Sequence, residues 1–191
     1  MDKSPIRTLV PDDWTLRLAR AIAAAVSEFA VLLGDEAIAL LAVDCHPWHG
    51  TLGLSALTSA ESNADSLLAD PAEIAAWRYS DFARNTAAWL LTATLGSEMR
   101  AAYASGNCPV VADAFLAACA TAVASECVMD TLEMLVQANG FRVRVTHPDN
   151  GRELVTSEGT AHVAHGGMGH TYCHCADCVA SRGLATTGFS G

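Results

Sequence analysis

The sequence predicts an α+β fold: a helix-rich single domain with a small antiparallel sheet, followed by a C-terminal tail rich in glycine, histidine and cysteine. Three observations lead to this prediction. Apolar residues recur at helical spacing in several segments, and short apolar runs of strand length lie between them. Large apolar residues become rare after residue 156. We therefore assign residues 1–156 to a globular domain and residues 157–191 to a flexible tail.

The composition limits the classes of partner. The 191 residues carry a formal charge of −10 and are 51% hydrophobic. The acidic balance argues against nucleic acids and anionic membrane surfaces, because both need clustered Lys and Arg. No apolar run is long enough to cross a bilayer and no signal-peptide stretch is apparent, so we expect a cytoplasmic protein. In that reducing compartment the seven cysteines are expected to be buried thiols or metal ligands.

The first half of the domain predicts a helix and a hairpin. The helix has Asp12 as its N-cap and ends at Gly34. Its apolar residues define one buried face: Leu18, Ile22, Val26, Phe29 and Leu33. The continuous apolar run 37–43 predicts a buried strand, and alternation over 52–55 predicts its partner. A turn over 44–50 joins the two strands.

The second half of the domain predicts more helix and one further strand pair. Residues 59–70 are small and polar, which indicates a loop. A helix capped by Ser80 should follow, with four residues facing inward: Phe82, Trp89, Leu90 and Met99. A long helix of about 25 to 30 residues is predicted from Val110 towards Asn139. Alternation over 141–145 predicts a half-exposed strand, and 154–155 a short return strand.

The strongest functional signal lies in the tail. Of the seventeen positions from 162 to 178, seven are His or Cys: His162, His165, His170, Cys173, His174, Cys175 and Cys178. Thiolate and imidazole are the preferred donors for zinc and copper. The two-residue spacer between Cys175 and Cys178 lets both thiolates bind one ion, and binding would supply folding free energy to a polar segment. The cluster predicts a zinc or copper site; an unstructured tail with adventitious His and Cys is the alternative.

The hairpin turn offers a second candidate site. Cys45, His46 and His49 are close in sequence and could hold a metal, or Cys45 and a histidine could form a nucleophile–base pair. Neighbouring side chains on a strand point to opposite faces, which favours a plain polar turn with Trp48 packed on the sheet. Phosphate-loop, dinucleotide, zinc-protease and serine-hydrolase motifs are missing from the sequence. We therefore predict a non-enzymatic protein with no catalytic residues.

A third interpretation concerns covalent processing. Gly166 and Gly167 form a double glycine, and Ser, Thr and Cys residues are frequent behind it. This segment resembles the core peptide of a ribosomally synthesised, post-translationally modified peptide. The resemblance implies a leader over 1–167, a core over 168–191, cleavage after the double glycine, and a modifying enzyme as partner.

The globular part also carries a family resemblance. An apolar strand ends in Val43-Asp44, a hairpin mate follows, and Trp77-Arg78-Tyr79-Ser80 leads into a helix. Over roughly residues 12–156 this order resembles an uncharacterised family of small bacterial α+β domains, some of whose members are described as immunity or interaction proteins near toxin genes. The resemblance implies a protein partner, such as a basic toxin masked by an acidic surface. It implies no catalytic residue and does not extend to the His/Cys tail.

Overall fold

The computed structural model describes residues 9–148 and 153–154. In chain order the helices and strands are α1 (Trp14–Leu33), β1 (Ile38–His46), β2 (Thr51–Thr58), α2 (Ser59–Ala64), α3 (Thr92–Ser105), α4 (Cys108–Val123), α5 (Glu126–Leu132) and β3 (Gln137–Val145). Between α2 and α3 lie four short 3₁₀ helices: Ser66–Ala69, Pro71–Ala76, Phe82–Asn85 and Ala88–Leu91. The predicted α+β class is confirmed for these residues.

Helix α1 contributes one buried face to the main hydrophobic core. All five residues of its predicted apolar face are buried, and Trp14 extends that face by one further turn. The Trp14 indole donates a hydrogen bond to the Leu95 carbonyl at 3.1 Å and packs edge-on against Phe115. The N-cap position is Asp13, one residue after the predicted Asp12, and its side chain makes no capping hydrogen bond.

The sheet is mixed, which corrects the expectation of an antiparallel sheet. Its strand order is β2-β1-β3. β1 and β2 form the predicted antiparallel hairpin, whereas β3 pairs with β1 in parallel, with Val43 opposite Val145. The chain between β2 and β3 crosses over through four α-helices, so β3 returns in the same direction as β1. Periodicity identified β3 as a strand but carries no information on its direction.

The predicted long helix is divided in two. α4 ends at Val123, α5 begins at Glu126, and the two are bent by 56°. Ser125 causes the break: its backbone is extended (φ −70°, ψ 147°) and its hydroxyl donates to the Ala122 carbonyl at 2.6 Å. A serine hydroxyl that bonds a nearby carbonyl competes with helix continuation. The apolar pattern continues through the break, which is why it predicted one helix.

Two further expectations are wrong. The predicted loop 59–70 begins with α2, which has a capping box between Thr58 and Glu61. That Thr-x-x-Glu signal is visible in the sequence. The helix predicted from Ser80 is replaced by two 3₁₀ helices ahead of α3, and Leu90 is exposed instead of facing inward.

No single helix in the described part of the chain has the length and apolar character needed to cross a membrane. The bent pair α4 and α5 passes that test only when both are taken together. Most of α4 is buried in the core of the domain.

The two faces of the sheet pack against different layers. Alternate residues of β1 (Leu41, Val43 and Cys45) join the large core under α1 and α4. Leu40 and Ala42 point the other way, into a smaller apolar cluster with Leu57 and Trp77. The chain from 66 to 81 covers this second face, and it leaves a cavity where β1 and β3 end.

Candidate functional site

The predicted tail site and processing site lie outside the described residues. This holds for every position of both: His162, His165, Gly166, Gly167, His170, Cys173, His174, Cys175 and Cys178. Their metal-binding and processing roles therefore stay predictions from the sequence.

The second predicted site, on the hairpin, is not assembled as a ligand set. Cys45 is 1% exposed and its sulfur lies 3.6 Å from the Met99 sulfur, inside the main core. A hydrogen bond with Cys119 and burial together raise the pKa of the Cys45 thiol well above its ordinary value. His46 is half-buried, and its ring centroid lies 6.5 Å from that of exposed His49. Within the described residues, no three His, Cys, Asp or Glu side chains are arranged to hold a metal ion.

A raised pKa also removes the basis for Cys45 as a nucleophile, because the thiolate is the reactive form. The alternative prediction was a polar turn over 44–50 with Trp48 packed on the sheet. The turn is shorter than predicted, because β1 extends to His46 and only residues 47–50 form the turn. Trp48 packs against the main core, with its ring 6.2 Å from that of Tyr103.

A cavity of about 770 Å³ lies beside this turn, where β1 and β3 end. Crevices at the carboxyl ends of parallel strands are frequent ligand sites in α/β sheets. The cavity is lined by residues of both strand ends, of β2 and of the covering segment: Asp44, Cys45, His46, Ser55, Asp70, Ala72, Ile74, Ala75, Ser80, Asp81, Thr146, His147 and Pro148. This list contains three carboxylates and no Lys or Arg.

Asp44 supplies the deepest of the three carboxylates. It follows the apolar run of β1 and faces the same side of the sheet as Ala42, towards the cavity. Burial and the negative charge of Asp81 raise its pKa from 3.8 to about 6, and a hydrogen bond from Ser55 opposes that rise only in part. The Ser55 hydroxyl lies 3.5 Å from the Asp44 Oδ2.

Asp81 approaches from the covering segment in an unusual backbone conformation. It is the only non-glycine among the described residues with a positive φ, at 47°. Its backbone N–H donates to the Ser55 hydroxyl at 2.9 Å, which fixes the bend. Burial raises the pKa of its carboxyl, while Arg84 and a backbone hydrogen bond from Leu54 oppose the rise. Its buried Oδ1 has no hydrogen-bond partner among the described residues.

Gly53 allows the two carboxylates to meet. It pairs with Asp44 across the hairpin, on the face that Asp81 covers. A Cβ at this position would lie 3.2 Å from Asp81 Oδ1 and 3.7 Å from Asp44 Oδ2. Both oxygens therefore lie within 4 Å of one point, and a larger side chain would occupy the space between them.

The end of β3 forms the opposite wall. His147 is 1% exposed, and its Nε2 lies 3.9 Å from the Asp113 carboxylate of α4. The hydroxyl oxygen of Thr146 is buried and has no hydrogen-bond partner in the described part of the chain. Together with Asp81 Oδ1, this leaves two buried polar atoms at the cavity that a ligand can satisfy.

A buried arginine holds the covering segment on the sheet. Arg144 of β3 pairs with Glu153 at 2.8 Å and donates to the Ala69 carbonyl at 2.8 Å. Burial lowers its pKa, and the Glu153 carboxylate opposes that effect. The hydrogen bond to Ala69 holds the segment before Asp70 against β3. Two parts of the cavity lining, Asp70 and the end of β3, are therefore connected.

Sequence reasoning identified His46 but missed Ser55, Asp81 and His147. Asp44 was visible as the polar end of a buried strand. Asp81 was hidden, because neither its positive φ nor its approach to Gly53 has a signature in the sequence. Ser55 and His147 become site residues only through the strand register and the parallel placement of β3.

Comparisons with protein-family models, with curated proteins and with solved structures found no match to this chain. The family resemblance over residues 12–156 and the peptide-core resemblance therefore stay predictions.

Proposed function

We propose that this protein is a non-enzymatic binding protein. Its α+β domain engages a protein partner by taking a basic side chain of that partner into the acidic cavity, and its tail binds zinc or copper. The observation that supports the first part is the pair of carboxylates, Asp44 and Asp81, whose oxygens lie within 4 Å of one point in a cavity that has no Lys or Arg in its lining.

Electrostatics favour a cationic occupant. The raised pKa values of Asp44 and Asp81 reflect burial, and for Asp44 also the repulsion of a second carboxylate. A positive group between them stabilises the charged form of both and removes that repulsion. A neutral or anionic occupant would do neither, so the cavity selects for positive charge.

The donor geometry favours arginine over lysine. Asp44 Oδ2 and Asp81 Oδ1 lie within 4 Å of the same point, and Asp81 Oδ1 has no hydrogen-bond partner in the described part of the chain. A planar guanidinium presents several N–H donors in a fixed fork and can bond both oxygens at once, whereas an ammonium acts as a point charge. A volume of about 770 Å³ also accommodates the neighbouring backbone of a partner loop.

A titration with a small probe tests this part of the proposal. N-acetyl-arginine amide, added to the ¹⁵N-labelled full-length protein at pH 7.5, is expected to shift the amides of Ser55, Asp81 and Thr146. N-acetyl-citrulline amide has nearly the same shape without the charge and should shift none of them. Asp44→Asn with Asp81→Asn should weaken the arginine probe about tenfold or more. Equal shifts with both probes would contradict the proposal.

The proposed metal function rests on the density of thiol and imidazole donors between residues 162 and 178. The cytoplasm, where we place the protein, would keep those thiols reduced. Elemental analysis of the full-length protein should find about one zinc or copper per chain. A variant with Cys173, Cys175 and Cys178 replaced by serine should lose it, and equal metal content in both proteins would contradict this function.

A further inference from the structure

Three sulfur atoms from three different elements meet inside the main core. Cys45 of β1, Met99 of α3 and Cys119 of α4 are each no more than 1% exposed. The Cys45 sulfur lies 3.6 Å from the Met99 sulfur, and the Cys45 and Cys119 thiols share a hydrogen bond. The Cys45 sulfur therefore contacts both other residues, and we call these three residues the sulfur cluster.

Apolar packing alone does not require sulfur at these positions. Leu41 and Val43 precede Cys45 on the same face of β1 and fill the same core with aliphatic side chains. In the described part of the chain four sulfur-containing residues are buried, and three of them belong to the cluster. The fourth, Cys108, donates a hydrogen bond to the Tyr103 carbonyl. The soft, polarizable side chains of the core are thus concentrated at one point.

The spacing of the cluster suits a metal ion with sulfur ligands. Metal–thiolate bonds are about 2.3 Å long, so ligands of one ion lie roughly 3.8–4 Å from each other. The separation of 3.6 Å between the Cys45 and Met99 sulfurs is close to this value. Small side-chain adjustments would bring all three sulfurs within bonding distance of an ion. Because one donor is a methionine, this set differs from the His, Cys, Asp and Glu groups considered above.

The donor types favour copper in its monovalent state. Two thiols and a thioether are soft donors, which select Cu(I). Structural zinc is almost always bound by four ligands, whereas the cluster supplies three. A monovalent ion also costs less to bury than a divalent one, and a single thiolate neutralises its charge.

The electrostatic surroundings of the cluster favour a cation as well. The hydrogen bond with Cys119, burial and the negative charge of Asp44 all raise the pKa of the Cys45 thiol. A nearby cation favours the thiolate and so opposes these effects. Each thiol that bonds the ion releases its proton to solvent, and no electron is transferred.

We propose that the sulfur cluster is a Cu(I) site with Cys45, Met99 and Cys119 as ligands. Cys45 also belongs to the lining of the acidic cavity, so the site lies directly behind a solvent-accessible wall. The site does not depend on the cation-binding function of that cavity or on the tail metal site. In air copper is Cu(II), which prefers nitrogen and oxygen ligands, so aerobically prepared protein has no copper in its core. The metal analysis of the tail therefore does not count this site.

Anaerobic titration with Cu(I), in competition with the indicator bicinchoninate, tests the proposal. The parent protein is the full-length chain with Cys173, Cys175 and Cys178 replaced by serine, which removes the tail thiols. It should take one Cu(I) per chain from the indicator, and X-ray absorption should show three sulfur ligands at about 2.3 Å.

Variants of the parent protein separate the cluster from other core thiols. Cys119→Ser should weaken Cu(I) binding by more than about a hundredfold and Met99→Leu by about tenfold, since both remove a direct ligand. Cys108→Ser changes another buried thiol of α4 that lies outside the cluster, and it should bind Cu(I) as the parent does.

A parent protein that takes no Cu(I) from the indicator would overturn the proposal, and so would bound copper with nitrogen ligands. Equal affinities of the Cys119→Ser and Cys108→Ser variants would overturn it too. Circular dichroism before each titration shows whether a variant is folded. If Cys119→Ser does not fold, the ligand set from X-ray absorption and the volume-conserving Met99→Leu variant decide the question.

Discussion

Replacing Asp44 by asparagine removes a carboxyl group whose charged form is disfavoured in the folded protein. Burial and the nearby Asp81 raise the pKa of Asp44 to about 6, against 3.8 for an unperturbed aspartate. Because the folded pKa is the higher one, Asp44 favours folding when protonated. That contribution is complete below pH 3.8 and is lost as the pH rises to about 6. The difference corresponds to about 3 kcal/mol.

The Asp44→Asn variant should therefore not lose stability as the pH rises from 3.8 to about 6. We expect its free energy of unfolding to match the wild type near pH 4 and to exceed it by up to about 3 kcal/mol at pH 8. Urea unfolding, followed by the fluorescence of the four tryptophans, measures the difference. Asp130→Asn changes the same group at an exposed position of α5 and serves as control. If the wild type and the Asp44→Asn variant showed the same dependence on pH, the account of this carboxyl would be refuted.

Three further outcomes follow from the geometry. Gly53→Ala places a Cβ 3.2 Å from Asp81 Oδ1, so calorimetry should show that the arginine probe binds about tenfold more weakly. The free energy of unfolding in urea should change by no more than about 1–2 kcal/mol. Gly96→Ala places a Cβ against the carbonyl oxygen of Gly50 and so forces the hairpin turn away from α3. We expect the free energy of unfolding, measured in urea, to fall by about 2–3 kcal/mol. An unchanged unfolding midpoint would contradict the close approach of Gly50 and Gly96. With the three tail cysteines replaced by serine, Ellman's reagent should modify only exposed Cys127 in the native protein and the buried Cys45, Cys108 and Cys119 only after unfolding. Rapid modification of a second thiol would be inconsistent with the burial of these three.

The elements that periodicity defines were predicted well, because each signal is local. The buried face of α1 follows from the spacing of its apolar residues, and the hairpin follows from two short apolar runs around a turn. The errors fall where a local pattern is compatible with two structures. Ser125 divides an apolar stretch without altering its composition, and the direction of β3 depends on the path of the crossover.

The candidate site was harder to predict than the fold, since its residues come from four separated segments. The sequence placed Asp44 and His46 in the turn that follows a buried strand, but it could not show that Asp81 lies across Gly53. His147 joins them only because β3 runs parallel to β1 and ends at the same edge. Clusters that are contiguous in sequence, such as the tail histidines and cysteines, draw attention first, whereas the cavity is formed by tertiary contacts.

The central claim is that Asp44 and Asp81 receive a positive group, and the most direct measurement is the titration of the Asp44 carboxyl itself. Carbon-13 NMR of the side-chain carboxyl, recorded from pH 4 to 8, should give a pKa near 6 for the free protein. Saturation with N-acetyl-arginine amide should lower that pKa, because a nearby positive charge favours the carboxylate. If the Asp44 pKa were the same with the arginine probe as with the citrulline probe, this carboxyl would not bind a cation. The proposed binding function would then be wrong.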